Sequence, residues 1–163
     1  MIANFLIFIA LTGCSVTISE ECEVTAPEEA TLQPGEPYRC ADSFQNHGDG
    51  CGSEGYALGY GAKYAEIFMW ETYEIVEAST QEFLVQNLLC LQESFIFETD
   101  TSMTCSELWE HAFASHVGCY VTSGACDLPT TDLVRIFTAI DDQDMGSPEQ
   151  NAATEAIWDQ CWG

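Results

Sequence analysis

Residues 105–126 read CSELWEHAFASHVGCYVTSGAC, and this stretch decides the fold class. Cys105, Cys119 and Cys126 are separated by 14 and 7 residues, whole heptads that drift only about 20° each on a straight helix. One helix can therefore present three sulfurs on one face, each reaching a different part of the chain. Thr104 with Glu107 has the capping-box spacing that opens a helix, and Gly124 followed by Pro129 supplies its stop.

The periodicity from Tyr56 nearly to the end is helical, with no alternating strand pattern of more than a few residues. The class expected is all-α: a disulfide-stapled bundle of about five helices behind an irregular N-terminal segment. A first helix covers about residues 58–78. The second, about 80–96, opens on a Ser79–Glu82 capping box and buries Leu84, Leu88, Leu91 and Phe95 as one stripe. The cysteine helix is the third. The fourth, about 130–140, aligns Leu133, Ile136, Phe137 and Ile140. The fifth starts at Ser147, with Pro148 at its first position and Gln150 completing a capping box; Ala153, Ile157 and Cys161 share its inner face.

The N-terminal third differs in composition. MIANFLIFIALTG, residues 1–13, has the length of a signal-peptide apolar region and is too short to span a bilayer. Leu11, Thr12, Gly13 and Cys14 resemble a bacterial lipobox, which marks Cys14 as the lipidation site and the chain as a lipoprotein; the plainer reading is an ordinary secretory signal. Residues 14–39 carry Pro27, Pro34, Pro37 and six glutamates, the composition of an extended, self-repelling tether. Cys22 staples that tether, most simply to Cys40. The run ADSFQNHGDGCGSEG, 41–55, is rich in Gly, Asn, Asp and Ser and should be irregular, with Cys51 tying it down. The helical domain is placed at 40–163.

Length and charge bound what the chain does. Its 163 residues, 47% hydrophobic, suit one domain with a real core. Three Lys plus Arg against 27 Asp plus Glu give a formal charge of -24, which repels phosphate backbones and anionic headgroups. No nucleic-acid partner is expected, and membrane contact only through a lipid at Cys14. Export leaves eight cysteines, an even number, in an oxidising compartment, so four disulfides follow. His111, His116 and Cys119 lie close on one helix, but the two histidines are five apart and no CxxC knuckle accompanies them; neither metal nor cofactor is expected.

The pattern FLVQNLLC at 83–90, then Cys105, Cys119 with Tyr120 directly after it, Cys126 and Cys161, resembles the stanniocalcin family over about residues 40–161. The resemblance implies a secreted, disulfide-rich helical protein whose relatives are hormone-like factors tied to calcium and phosphate balance and to inhibition of secreted metalloproteinases. It also implies the pairs Cys90 with Cys119 and Cys126 with Cys161, and a tie from Cys105 to the N-terminal loop, where Cys51 is the candidate. The chain departs from the family in having fewer N-terminal cysteines and no N-x-S/T sequon.

Enzyme signals are thin. Gly59, Gly61 and Lys63 in GYGAKYAEIF sit like part of a phosphate loop, without its third glycine or a preceding strand. DDQDMGSPE, 141–149, has the acidity of a calcium loop, but counting from Asp142 puts Ala153 where the bidentate glutamate belongs. At 100° per residue the first helix puts Phe68, Met69, Ile75 and Val76 on one broad face and Lys63, Glu66, Glu74 and Glu77 opposite. Trp70 falls inside the charged stripe, with Tyr73 as its neighbour: either a partner-binding anchor in a polar rim or a core residue covered by the Cys51 loop. The functional expectation is a non-enzymatic, secreted or surface-anchored module that binds an extracellular protein as a monomer or non-covalent dimer. An extracellular calcium-binding protein or a small enzyme is the alternative.

Overall fold

The computed structural model describes residues 18–163; the expected signal sequence and Cys14 lie outside them. Seven α-helices and no strand are present among the described residues: α1 (Glu36–Phe44), α2 (Lys63–Ile67), α3 (Ala78–Phe97), α4 (Cys105–Thr122), α5 (Thr130–Thr138), α6 (Asp142–Met145) and α7 (Pro148–Trp162). None is long and apolar enough to cross a membrane. The architecture is a disulfide-stapled all-α bundle, with α4 at its centre packed against both α3 and α7.

The capping box opens α4. Thr104 Oγ1 accepts from the Glu107 N–H at 3.4 Å, and Glu107 Oε2 accepts from the Thr104 N–H at 2.8 Å. The helix stops at Thr122, and Gly124 takes the left-handed φ of 102° that ends a helix without a Cβ penalty. Cys126 therefore lies not on the helix, as the heptad spacing suggested, but in the turn Ala125–Asp127 beyond it. The sulfur ladder has two rungs on the helix and one past its end. Disulfides join Cys90 to Cys119, Cys51 to Cys105, Cys126 to Cys161 and Cys22 to Cys40. Three thus radiate from α4 and its terminal turn, and they mark the chain as one of an oxidising, extracellular-type compartment.

The start of α3 corrects the Ser79–Glu82 capping box. The helix begins at Ala78, its N-cap Glu77 makes no side-chain cap, and the cap comes instead from α5. Asp132 Oδ2 accepts from the Glu77 N–H at 2.9 Å and from Thr80 Oγ1 at 2.7 Å, while Oδ1 takes the Arg135 guanidinium at 2.6 Å. Burial alone would raise the Asp132 carboxyl, but these donors outweigh it and hold it below the usual carboxylate range. Asp132→Ala strips the acceptor from two α3 donors, one of them fully buried, and is expected to lower the unfolding free energy by about 2 kcal/mol. Urea denaturation at pH 7 measures this. An unchanged midpoint would show that α3 caps itself.

The N-terminal segment is not an extended tether from Ile18 onward. Ile18, Cys22 and Ala30 are buried in the core, the Thr25 N–H donates to Gln92 Oε1 at 3.0 Å, and Gln92 Nε2 donates to the Pro34 carbonyl at 2.9 Å. One buried glutamine thereby satisfies the backbone of two strap positions, which offsets charge repulsion that composition alone had weighed as decisive. The irregular stretch also starts later than expected, since α1 spans the end of the tether and the start of the loop. Pro37 lies in its first turn, where the missing N–H costs nothing. Tyr38 and Ala41 then bury its inner face.

The glycines of GYGAKY have packing reasons. A Cβ on Gly61 would stand 2.7 Å from the Tyr38 ring, and one on Gly59 would collide with the Ser53 carbonyl oxygen. They let residues 57–62 lie directly against α1 and the Cys51 loop.

Candidate functional site

The helical run at 57–75 sets the geometry of the candidate surface. It is π-helical at Ala57–Ala62 and again at Phe68–Thr72, with α2 between; the Tyr73 N–H, for example, reaches back five residues to the Phe68 carbonyl. Widening the helix stretches the repeat of its buried face from 3.6 towards 4–5 residues, so Tyr56, Tyr60, Tyr64 and Met69 point inward. Ile75, placed on the buried face by a 100° step, is 58% exposed instead.

Trp70 is 49% exposed, and its indole Nε1–H donates to the Thr31 carbonyl at 2.8 Å. What meets the ring is the N-terminal strap, not the Cys51 loop. Tyr73 is packed against the core rather than shared with this surface, and its carbonyl accepts from Gln81 Nε2 at 2.8 Å. Beside Trp70 lies an open cleft of about 480 Å³, bordered by Arg39, Lys63, Glu66 and Ile67. Ile67 and Glu71 also wall a second cleft of about 370 Å³, which contains Ile75 and Arg135.

All three basic residues of the chain therefore line two clefts that share a wall. Each is paired: Arg39 with Glu36 at 3.1 Å and with Glu66, Lys63 with Asp141 at 2.6 Å and Asp144 at 2.8 Å, Arg135 with Asp132. The hydrogen bond that Arg39 donates to the Glu66 carboxylate chiefly raises the Arg39 pKa. For Lys63, desolvation that would lower the pKa is outweighed by Asp141 and Asp144, so the ammonium stays charged. On a molecule of charge -24, this face holds all three basic side chains against six carboxylates, those of Glu36, Glu66, Glu71, Asp132, Asp141 and Asp144, a local net charge of -3.

The acidic run 141–149 holds a protein cation where a calcium loop would hold a metal. The Lys63 ammonium bridges Asp141 and Asp144, Tyr64 Oη donates to Asp144 Oδ2, and the Asp141 N–H donates to Tyr64 Oη at 3.1 Å. Among the described residues no three His, Cys, Asp or Glu side chains converge as a metal site. His111, His116 and Cys119 are engaged separately: Nε2 of His111 lies 3.4 Å from the Ser94 carbonyl, His116 is buried, and Cys119 is bonded to Cys90.

Inside the bundle is a network that periodicity did not reveal. Tyr56 stacks on Tyr60 with ring centroids 5.6 Å apart, Tyr60 meets Tyr64 at 4.6 Å, and Phe95, Phe113 and Trp109 close around them. Tyr56 Oη and His116 Nε2 lie 3.0 Å apart, and Tyr60 Oη donates to Gln150 Oε1 at 2.6 Å. Burial drives the His116 pKa down to about 4 and pushes the Tyr56 and Tyr60 phenols up. The signal was present as tyrosines at i, i+4 and i+8, a repeat that suits this wider helix.

Next to this network α5 and α7 enclose an apolar groove. Leu133, Ile136 and Phe137 form one side, Ala153, Ile157, Trp158 and Trp162 the other. Trp158 and Trp162 stand one turn apart with centroids at 5.0 Å, exposed by 57% and 39%.

Compared with family models, with curated proteins and with solved structures, the chain matches none.

Proposed function

We propose that the protein is a secreted or cell-surface helical binding module of stanniocalcin-like type, non-enzymatic and held at a membrane through acylated Cys14, and that the face around Trp70 takes a protein partner. The observation that supports it is the coincidence of a half-exposed tryptophan, exposed Ile75 and all three basic side chains on one face. A large aromatic anchor within a polar rim of paired charges has the composition of interface hot spots. Because the only three basic side chains of the chain offset half of the carboxylates here, a protein partner meets less repulsion on this face than the net charge of -24 alone would give.

Trp70→Ala is the test. The ring is half exposed and held by one hydrogen bond, so its removal should cost about 1–2 kcal/mol of stability, well short of a core tryptophan. The same change should remove about 2 kcal/mol or more of partner binding. A protein captured from extracellular or surface extract by the wild-type chain and not by a folded Trp70→Ala chain is the expected result. Capture that is equal for both removes Trp70 from the interface.

A further inference from the structure

We propose that the groove between α5 and α7 is a second docking site, taking a basic amphipathic helix whose apolar face lies along Trp158 and Trp162. This surface is distinct from the Trp70 face and stands whether or not that face binds a partner. No charged side chain lines the groove. Its histidine and glutamine are already engaged, His116 with Tyr56 at 3.0 Å, Gln150 Oε1 with Tyr60 at 2.6 Å and Gln150 Nε2 with Thr154 at 3.2 Å. The surface therefore recognises apolar shape, and a pair of neighbouring exposed tryptophans at its lip is more than a scattered surface hydrophobe.

Size and charge select the occupant. The groove offers only about 30 Å³, too little to take up an acyl chain, whereas a helix can lie across the lip with its apolar face on Trp158 and Trp162. The elements that carry the groove are acidic outside its lining: α7 holds Glu149, Glu155 and Asp159 and no Lys or Arg, and Asp127 lies in the turn beside Cys126. The three basic side chains are all paired at the Trp70 side. A second copy of the chain, also at -24, and an anionic lipid surface are both repelled, while a basic segment is attracted. The site is also held in place before binding. The Cys126–Cys161 disulfide clamps the last turn of α7, and the Tyr60–Gln150 bond holds its first turn, which lowers the ordering cost of docking.

The probe is a synthetic 18-residue peptide of leucine and lysine with one continuous apolar face, titrated against the full chain by isothermal calorimetry. Saturable one-to-one binding is expected. It should weaken at least tenfold for Trp158→Ala and for Trp162→Ala, stay unchanged for Trp70→Ala, and weaken at least tenfold when glutamate replaces lysine in the peptide. A peptide of the same composition scrambled to lack an apolar face should also bind at least tenfold less; equal binding would reduce the effect to bulk charge and overturn the site. So would unaltered affinity in folded Trp158→Ala and Trp162→Ala chains, or no saturable binding at all. Dimerisation in sedimentation equilibrium that is lost in Trp158→Ala would assign the patch to a second copy. A tryptophan blue shift on phosphatidylcholine vesicles that is lost in Trp158→Ala would assign it to lipid; either result overturns the proposal. Trp158→Gln, at the more exposed position, keeps the test decisive if an alanine variant fails to fold.

Discussion

Joint replacement of Cys51 and Cys105 by alanine is expected to lower the unfolding free energy by about 4 kcal/mol, the largest loss among the four crosslinks. The bond closes the longest loop, a sequence separation of 54, against 18 for Cys22–Cys40, and in the chain-entropy account the stabilisation grows with loop length. Its local setting adds to the expectation. The segment around Cys51 has positive φ at Asn46, His47, Gly48, Gly50 and Gly52. Besides the disulfide it is held mainly by polar contacts: Asp42 Oδ1 accepting from the Cys51 and Gly52 N–H groups at 2.9 and 3.1 Å, and the His47 N–H donating to the Thr101 carbonyl at 2.6 Å. Without the crosslink the loop should open away from the first turn of α4. Guanidinium denaturation of the double variant measures the loss, and a change under about 1 kcal/mol would mean that the loop is held by its hydrogen bonds alone.

Acidification should cost about 3 kcal/mol between pH 7 and pH 4 through His116 alone. In the unfolded chain the imidazole takes its proton near pH 6.5, whereas in the folded bundle burial holds its pKa at about 4. Between those values the unfolded state binds the extra proton. Its contribution is therefore present above pH 6.5 and is lost as pH falls towards 4. Asp132 and Asp144, whose carboxyls are held low, lose their contributions below that window. Relief of repulsion among the other carboxylates acts in the opposite direction, so the comparison is with His116→Gln, which shares that background. Wild type should lose about 3 kcal/mol more than the variant over this range; parallel pH curves would show that the imidazole is wet.

Local signals that reach only a few residues were legible in the sequence. The Thr104–Glu107 box, the Gly124 stop, Pro148 behind Ser147 and the periodic stripe of α3 are local signals, and the structure contains them, with Leu84, Leu88 and Phe95 of that stripe buried and Leu91 only half-buried. The cysteine partners implied by the stanniocalcin likeness, Cys90 with Cys119, Cys126 with Cys161 and Cys51 with Cys105, are the ones joined. What was hidden depends on distant partners. The cap of α3 comes from Asp132, 55 residues beyond Glu77. The acidic strap is held by Gln92, and Lys63 finds Asp144 81 residues away. Ile75 was misplaced because a fixed 100° step cannot follow a helix that widens twice, and that widening also lines up Tyr56, Tyr60 and Tyr64.

Trp70 was placed on the charged stripe by the same step and is indeed half exposed there, but the strap that touches it could not be read from its own helix. Site-specific photocrosslinking decides its role. With p-benzoylphenylalanine in place of Glu71, the exposed neighbour of Trp70 that borders both clefts, irradiation in surface extract should yield one discrete covalent adduct. The same group at position 97, where Phe97 is 60% exposed at the end of α3, should yield none. Identical adducts from both positions, or none from position 71, would contradict a partner-binding face at Trp70.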